Sequence, residues 1–230
     1  MKTLSLLGGM SWESTLPYYR LLNEAVRNRR GGLHSAKILL ASVDFAELEP
    51  LMRADRWSEV GEFLGRTAAV LERAGAEGLV LCTNTLHKDA AAIEAAVSIP
   101  LLHIVDPTAA AAKRAGVTRV GLLATGFTME GEFYAGRLRQ QGLEVLIPEQ
   151  SDRAEVHRII FEELCVGRVL DESRDTYRQV IHRLATAGAQ GIVLGCTEIG
   201  LLISPRDSPV PVFDTTALHA DYAATWALSS

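Results

Sequence analysis

Two short segments of this chain place polar, proton-carrying side chains directly after a run of apolar residues. The side chains are Thr83, Asn84 and Thr85 in the first segment, and Cys196, Thr197 and Glu198 in the second. An ionised thiol acts as a base or a nucleophile, and hydroxyl and amide groups stabilise the negative charge that such a reaction develops. The residue types therefore indicate thiol chemistry on a small molecule.

The two segments belong to an internal repeat. Residues 75–85 align without gaps on residues 188–198, so that Cys196 corresponds to Thr83 and not to Cys82. Two further matches keep the same order, and they are residues 4–7 with 120–123 and residues 99–102 with 210–213. A repeat of this length predicts a duplicated unit the size of a small domain.

Short apolar runs alternate with amphipathic stretches of helical period along the chain. This alternation is typical of parallel strands joined by crossover helices. The predicted strands are residues 3–7, 37–43, 78–82, 101–104, 119–124, 143–146, 191–194 and 211–213. The predicted helices are residues 14–28, 57–74, 87–96, 107–115, 129–141, 152–165, 172–187 and 216–228.

The repeat and the alternation predict an α/β protein of two pseudo-symmetric lobes, each a parallel-sheet α/β sandwich, with the active site in the cleft between them. Residues 1–115 form the expected first lobe, completed by residues 210–230, and residues 116–209 form the second. No low-complexity linker separates the halves. A pseudo-twofold axis would bring Thr83 and Cys196 to opposite sides of a bound substrate.

Ligands of open parallel sheets collect beyond the carboxyl ends of the strands, where helices begin. At such a position we expect the pKa of the Cys196 thiol to be lowered toward neutrality. Glu198 is expected to cap a helix, or else to orient an ammonium group or tune the thiol. The pair Gly8 and Gly9 is expected either to cradle an anion or to form a tight turn.

The other residues near these segments have plainer interpretations. Cys82 is one residue out of register with Cys196, and a shift of one residue at a strand end reverses the side-chain direction, so Cys82 should point away from the cleft. Cys165, in a predicted helix, is interpreted as a small buried residue. His87 and Lys88 are interpreted as helix-start or surface residues.

The composition limits the partners. The 230 residues are 48% hydrophobic and 22% charged, with a formal charge of −5 and a mean hydropathy of +0.12. This balance argues against nucleic acid and anionic membrane partners and favours small molecules. The apolar run from Leu4 to Leu7 breaks at Gly8 and Gly9, too short for a signal segment or a membrane span, so a cytoplasmic protein is expected. Three cysteines are too few and too unevenly spaced for a disulfide framework or a zinc cluster.

Three motifs in order resemble those of the aspartate/glutamate racemase family of cofactor-independent amino acid racemases. They are residues 7–15 with the tyrosines at 18 and 19, residues 83–87, and residues 194–199. The resemblance implies a homodimer that needs neither pyridoxal phosphate nor metal, and in which two cysteines remove and return the α-proton on opposite faces. By motif, the groups that would hold the α-carboxylate and ammonium are Met10, Ser11, Asn84, Thr85, Thr125 and Thr197, with Glu198 close by.

The chain departs from the family pattern at Thr83, where a cysteine is usual. Because a threonine hydroxyl donates a proton but is a poor base, an asymmetric racemase of aspartate or glutamate is predicted, with Cys196 and Thr83 as the unequal catalytic pair. No motif-matched cation for a distal carboxylate is evident, and Arg53 is a weak candidate. The alternatives are a hydantoin racemase, a maleate isomerase-like enzyme, and a non-catalytic protein that binds a small amino acid. A thiol hydrolase fits less well, because no histidine is evidently placed as a base for Cys196.

Overall fold

A computed structural model describes residues 1–229, which form two compact units. The first unit contains Met1–His103 and a C-terminal segment that begins at His219. The second unit is Ile104–Leu218. Among residues 1–229, none of the helices combines the length and the apolar character needed to span a bilayer.

The elements alternate along the chain as strands and helices. Up to residue 103 they are β1 (Leu4–Gly8), α1 (Trp12–Arg30), β2 (Ile38–Ser42), α2 (Phe45–Arg53), α3 (Trp57–Arg73), β3 (Gly78–Leu81), a 3-10 helix (Thr85–Asp89) and α4 (Ala90–Ala96). From residue 104 they are α5 (Val105–Arg114), β4 (Arg119–Ala124), α6 (Gly126–Met129), α7 (Glu132–Gln140), β5 (Glu144–Leu146), α8 (Gln150–Glu162), a 3-10 helix (Leu164–Val166), α9 (Asp171–Thr186), β6 (Gly191–Gly195), α10 (Ile199–Leu202), a 3-10 helix (Pro205–Asp207), β7 (Val212–Asp214) and α11 (Thr215–Leu228).

The first unit is built on a parallel sheet with the order β2-β1-β3. All residues of β1 and β3 are buried, as expected for central parallel strands that are covered on both faces. The core beside them contains Tyr18 and Leu22 of α1 together with Ala220, Ala223 and Ala224 of α11. The last helix of the chain therefore packs on the sheet of the first unit.

The second unit is built on a parallel sheet with the order β5-β4-β6-β7. Its two central strands, β4 and β6, are almost entirely buried. Val105, Ala109 and Ala112 of α5 belong to the core of this unit. Both units confirm the predicted α/β class with two parallel-sheet regions.

The unit boundaries differ from those expected from the repeat. The helix expected at residues 107–115 of the first lobe is α5 of the second unit, because its apolar face packs into the second core. Residues 210–218, which include β7, also belong to the second unit, since β7 pairs with β6. Only the part of the chain from His219 returns to the first unit.

Several elements differ from the sequence prediction. The strand expected at residues 101–104 is a single bridge between Leu101 and Leu79, after which the chain turns into α5. The helix expected at residues 152–165 ends at Glu162 and continues as a separate 3-10 turn. Helix α2 was not predicted, since it has only nine residues and contains Pro50.

Candidate active site

The carboxyl ends of β1 and β3 lie side by side in the first sheet, and the polar residues that follow them share one edge. These residues are Met10, Ser11, Thr83, Asn84 and Thr85, and all five are buried. We call this group the first-unit edge. The hydroxyl of Ser14 joins its two loops, because it donates to the carbonyl oxygens of Ser11 at 3.0 Å and Cys82 at 3.5 Å.

The glycine pair after β1 is a tight turn required by packing. Gly9 has a φ of 91°, and a Cβ atom at this position would lie 2.2 Å from the carbonyl oxygen of Val43. The N–H of Gly9 donates to the hydroxyl of Thr15 at 2.8 Å. This amide is therefore used inside the turn, which favours the tight-turn interpretation over an anion cradle.

The two neighbouring residues Cys82 and Thr83 have different surroundings. Cys82 is fully buried in the hydrophobic core of the first unit, and burial raises the pKa of its thiol far above the ordinary range. Thr83 follows it at the first-unit edge. The orientation of Thr83, and not Cys82, toward a substrate remains a prediction from the repeat.

A buried histidine cluster lies behind Thr83. Nδ1 of His87 donates to the carbonyl oxygen of Thr83 at 2.7 Å, which assigns the ring proton to Nδ1. The rings of His103 and His219 have centroids 4.4 and 6.1 Å from that of His87. Nε2 of His219 lies 2.5 Å from the carbonyl oxygen of Leu102, and its Nδ1 lies 2.9 Å from the hydroxyl of Tyr18. His87 is thus buried in the first turn of the 3-10 helix Thr85–Asp89, so its interpretation as a helix-start residue holds and its interpretation as a surface residue is wrong.

The corresponding group in the second unit follows β4 and β6, which are neighbours in the second sheet. Thr125 comes after β4, and Cys196, Thr197 and Glu198 come after β6, all of them buried. We call this group the second-unit edge. The thiol of Cys196 and the hydroxyl of Thr197 both donate to Oε2 of Glu198 at 2.9 Å. Glu198 is only 2% exposed, so it is not a solvent-facing cap and instead binds the thiol directly.

The electrostatic setting of Cys196 contradicts the expected lowering of its pKa. Burial raises the pKa of the thiol well above its ordinary value, and the neighbouring Glu198 carboxylate adds to the rise. The N–H of Glu198 acts in the opposite direction but more weakly. Helix α10, which begins three residues later, has only four residues, and thus supplies little helix dipole. The raised pKa favours the protonated thiol, which donates its hydrogen bond to Glu198.

Thr125 is an N-cap residue. Its hydroxyl accepts a hydrogen bond from the N–H of Thr128 at 3.3 Å at the start of α6. The two hydroxyl oxygens of Thr125 and Thr128 also lie 3.2 Å apart, within hydrogen-bond distance. Both contacts give Thr125 a structural role at the start of α6.

Two residues close to the second-unit edge were missed by sequence reasoning. The thiol of Cys165 donates to Oε1 of Glu198 at 3.6 Å, so Cys165 is part of the site and not merely a core residue. The pKa of the buried Tyr177 phenol is raised by burial and by the nearby Cys196, Cys165 and Glu198. No spacing in the sequence marks either residue, because both reach the site from other parts of the chain.

Arg53 gives no support to a role in substrate binding. It ends α2 with an exposed side chain and forms an ion pair with Glu49. Its guanidinium is engaged on the surface of the helix.

Comparison with known proteins shows that the chain is similar to racemases. The family model of Asp/Glu/hydantoin racemases matches residues 7–223. The chain is 54% identical to a proposed Asp/Glu racemase from Yersinia pestis, with a TM-score of 0.92 and all of both chains covered. It is 33% identical to an aspartate racemase homologue from Pyrococcus horikoshii OT3, with a TM-score of 0.85 and again full coverage of both chains. It is also 26% identical, over 66% of each chain, to the broad specificity amino-acid racemase RacX of Bacillus subtilis.

The chain belongs to the Asp/Glu/hydantoin racemase family. It is an enzyme of the isomerase class, in the group of amino acid racemases.

Proposed function

We propose that this enzyme interconverts the L and D forms of an acidic amino acid, aspartate or glutamate, with Cys196 as the base that acts on the α-carbon. The observation that carries the proposal is the contact between the Cys196 thiol and Oε2 of Glu198, which supplies a proton acceptor to a buried thiol at the end of β6. The family and the similar aspartate racemase homologue support the reaction class.

The proposed reaction begins with transfer of the thiol proton from Cys196 to Glu198. An incoming ammonium group favours this step, because a positive charge near the sulfur stabilises the thiolate. The thiolate then takes the α-proton, and the electron pair of the Cα–H bond passes into the α-carboxyl group as an enolate-like charge. Hydroxyl and amide donors stabilise this charge, and we assign that role to Met10, Ser11, Asn84, Thr85, Thr125 and Thr197.

For return of a proton to the opposite face we propose Thr83. Its hydroxyl can donate a proton but ionises far less readily than a thiol, so removal of a proton by Thr83 is slow. The enzyme should accordingly be asymmetric, with fast α-proton exchange from one enantiomer and slow or absent exchange from the other. The hydrogen bond from His87 to the carbonyl oxygen of Thr83 helps to fix the turn that carries this hydroxyl. After product leaves, Thr83 takes a proton from water and Glu198 returns its proton to water, which restores the starting state.

The experiment is proton NMR of α-proton exchange in heavy water, with separate samples of L- and D-aspartate and L- and D-glutamate. The wild-type enzyme should exchange one enantiomer of one of these substrates faster than the other. Cys196→Ser should abolish the exchange, while Cys82→Ser should retain it. Equal exchange from both enantiomers would contradict the unequal roles of Cys196 and Thr83.

A second candidate function is binding of a small amino acid without turnover. The observation that favours it is Thr83, a weak acid–base group where the family pattern has a thiol. Saturable binding by calorimetry without α-proton exchange would support this function over racemisation. A broader substrate range, or a hydantoin or maleate substrate, is tested by adding neutral amino acids, hydantoins and maleate to the same panel.

We further propose a homodimeric, cytoplasmic enzyme that requires no added cofactor. Light scattering of the purified protein tests the dimer. Exchange activity that survives dialysis against a chelator and incubation with hydroxylamine, which removes pyridoxal phosphate, tests the cofactor requirement.

A further inference from the structure

A second thiol reaches the carboxylate that binds Cys196. The side chain of Glu198 has a thiol donor on each oxygen, with Cys196 on Oε2 at 2.9 Å and Cys165 on Oε1 at 3.6 Å. The hydroxyl of Thr197 shares Oε2. The orientation of the carboxylate therefore depends on donors at both of its ends.

The turn that carries Cys165 is fixed by its own contacts. Glu163, which precedes it and is buried, accepts from the hydroxyl of Ser173 at 2.5 Å and pairs with Arg158 at 3.0 Å. Gly167 ends the turn with a φ of 73°. The 3-10 helix Leu164–Val166 packs against α8 and α10, and these contacts help to fix the position of the thiol beside Glu198.

We infer that Cys165 is a positioning residue, which holds the Glu198 carboxylate against the thiol of Cys196. The inference rests on the proposed function for its effect on catalysis, while the contact itself can be tested without any substrate. Cys165 does not need to touch the amino acid. Its part is to keep one carboxylate oxygen occupied so that the other stays on Cys196.

Loss of the Cys165 donor should release the carboxylate. Without Cys165 the thiol and hydroxyl donors named above act on Oε2 alone, so the Oε1 end of the carboxylate is held less firmly and Oε2 contacts Cys196 less often. Two opposite effects follow. Proton transfer from Cys196 during turnover becomes slower. The negative charge of Glu198 also lies farther from the sulfur on average, so it disfavours the resting thiolate less.

Serine and alanine at position 165 form a matched pair. Cys165→Ser keeps a hydrogen-bond donor of similar size, and Cys165→Ala removes the donor while keeping the small side chain. For each variant, kcat and KM of α-proton exchange are measured at one pH. In parallel, the initial rate of iodoacetamide labelling at Cys196 is measured by peptide mass spectrometry.

The Cys165→Ala enzyme should show a kcat lowered about fivefold, an unchanged KM, and a labelling rate at Cys196 raised about fivefold, which is the size expected for one modest hydrogen bond. Cys165→Ser should restore both rates to within about twofold of the wild type. Cys82 is the internal control, because it is buried in the core and should stay unlabelled in every folded variant. Labelling of both Cys82 and Cys196 in Cys165→Ala would show that this variant is unfolded. The exchange and labelling rates of Cys165→Ser, compared with those of the wild type, then test the inference.

Equal labelling of Cys196 in the wild type and in both variants would overturn the inference. A fall in kcat that Cys165→Ser does not restore would also overturn it, because it would show that the sulfur acts in some other way than as a donor. If no substrate shows exchange, the proposed function fails. The labelling rates alone then decide whether Cys165 controls Cys196 through Glu198.

Discussion

The thiol of Cys196 donates a hydrogen bond to Oε2 of Glu198 at 2.9 Å, and both side chains are buried. In the mechanism that we propose, this pairing lets a thiol whose pKa is raised serve as a base. The carboxylate opposes a free resting thiolate, yet it is in place to take the thiol proton when a substrate brings positive charge. The proposed proton acceptor, Glu198, thus lies in contact with the proposed base, Cys196.

Replacement of Glu198 by glutamine should separate these two effects. Glu198→Gln removes a negative charge that helps to raise the pKa of Cys196, so this pKa should fall and labelling of Cys196 near neutral pH should rise about tenfold. The exchange rate should fall on the order of 100-fold, because an amide does not accept the proton. Iodoacetamide labelling across a pH series measures the first effect, and α-proton exchange measures the second.

The matched control for this variant is Glu132→Gln, which neutralises an exposed carboxylate that pairs with Arg139 on the surface of the same unit. It should change neither rate. Slower labelling of Cys196 in Glu198→Gln would contradict the electrostatic account.

Substitution of Cys82 should affect stability and not activity, whereas substitution of Thr83 should affect activity and not stability. Cys82→Ser places a hydroxyl in the hydrophobic core and should lower the free energy of unfolding by about 1–3 kcal/mol while leaving exchange from the fast enantiomer intact. Thr83→Ala should leave stability nearly unchanged and alter the ratio of exchange between enantiomers. Urea unfolding and NMR exchange give the two readouts. Loss of activity in Cys82→Ser with no effect of Thr83→Ala would show that the register is wrong.

The repeat predicted the central strands of each sheet because both copies have the same glycine turn followed by an apolar strand. Gly75 and Gly188 precede β3 and β6 with φ values of 99° and 101°, so both turns take a conformation that glycine favours. The two copies differ where similar apolar sequences pair differently with the neighbouring strand. Residues 99–102 form one bridge, whereas the matched residues lead into β7.

The candidate site was predictable only as far as strand ends and residue types. The position of Cys196 after β6 follows from the alternation of strands and helices. The contact of Cys165 with Glu198 does not, because it joins residues 33 positions apart through the packing of a 3-10 turn. The pKa of Cys196 was predicted in the wrong direction for a related reason. A sequence shows that a helix start is near, but it does not show that the helix has one turn or that the thiol is buried.

A substitution at Gly9 should be much more destabilising than one at Gly75. Both residues have similar positive φ values, 91° and 99°, so an alanine side chain strains the backbone at either position by about 1–2 kcal/mol. At Gly9 a Cβ atom would also lie 2.2 Å from the carbonyl oxygen of Val43, whereas at Gly75 it meets no heavy atom of residues 1–229 within 4 Å. Gly9→Ala should therefore lower the free energy of unfolding by roughly 2 kcal/mol more than Gly75→Ala. Urea unfolding of both variants measures the difference, and equal losses would contradict the close packing of the turn.

The stability of the fold should also depend on pH through Asp214. Its carboxylate caps α11, because Oδ1 accepts from the N–H groups of Thr216 at 2.9 Å and Ala217 at 3.1 Å, but burial raises the pKa of the group. A carboxyl group whose pKa is higher in the folded state than in the unfolded state stabilises the fold at low pH, and this contribution is lost as the pH rises through the folded pKa. Asparagine is an equally good cap and carries no charge to bury.

Asp214→Asn should for this reason gain stability relative to the wild type as the pH is raised from about 4 toward neutrality, the range above the ordinary carboxyl pKa. Asp214→Ala should lose about 1 kcal/mol at every pH when compared with Asp214→Asn, because alanine supplies no cap. Urea unfolding of the three proteins at pH 4, 5.5 and 7 measures both differences. A stability difference between Asp214→Asn and the wild type that shrinks with rising pH would show that the carboxylate stabilises the folded state more than burial disfavours it.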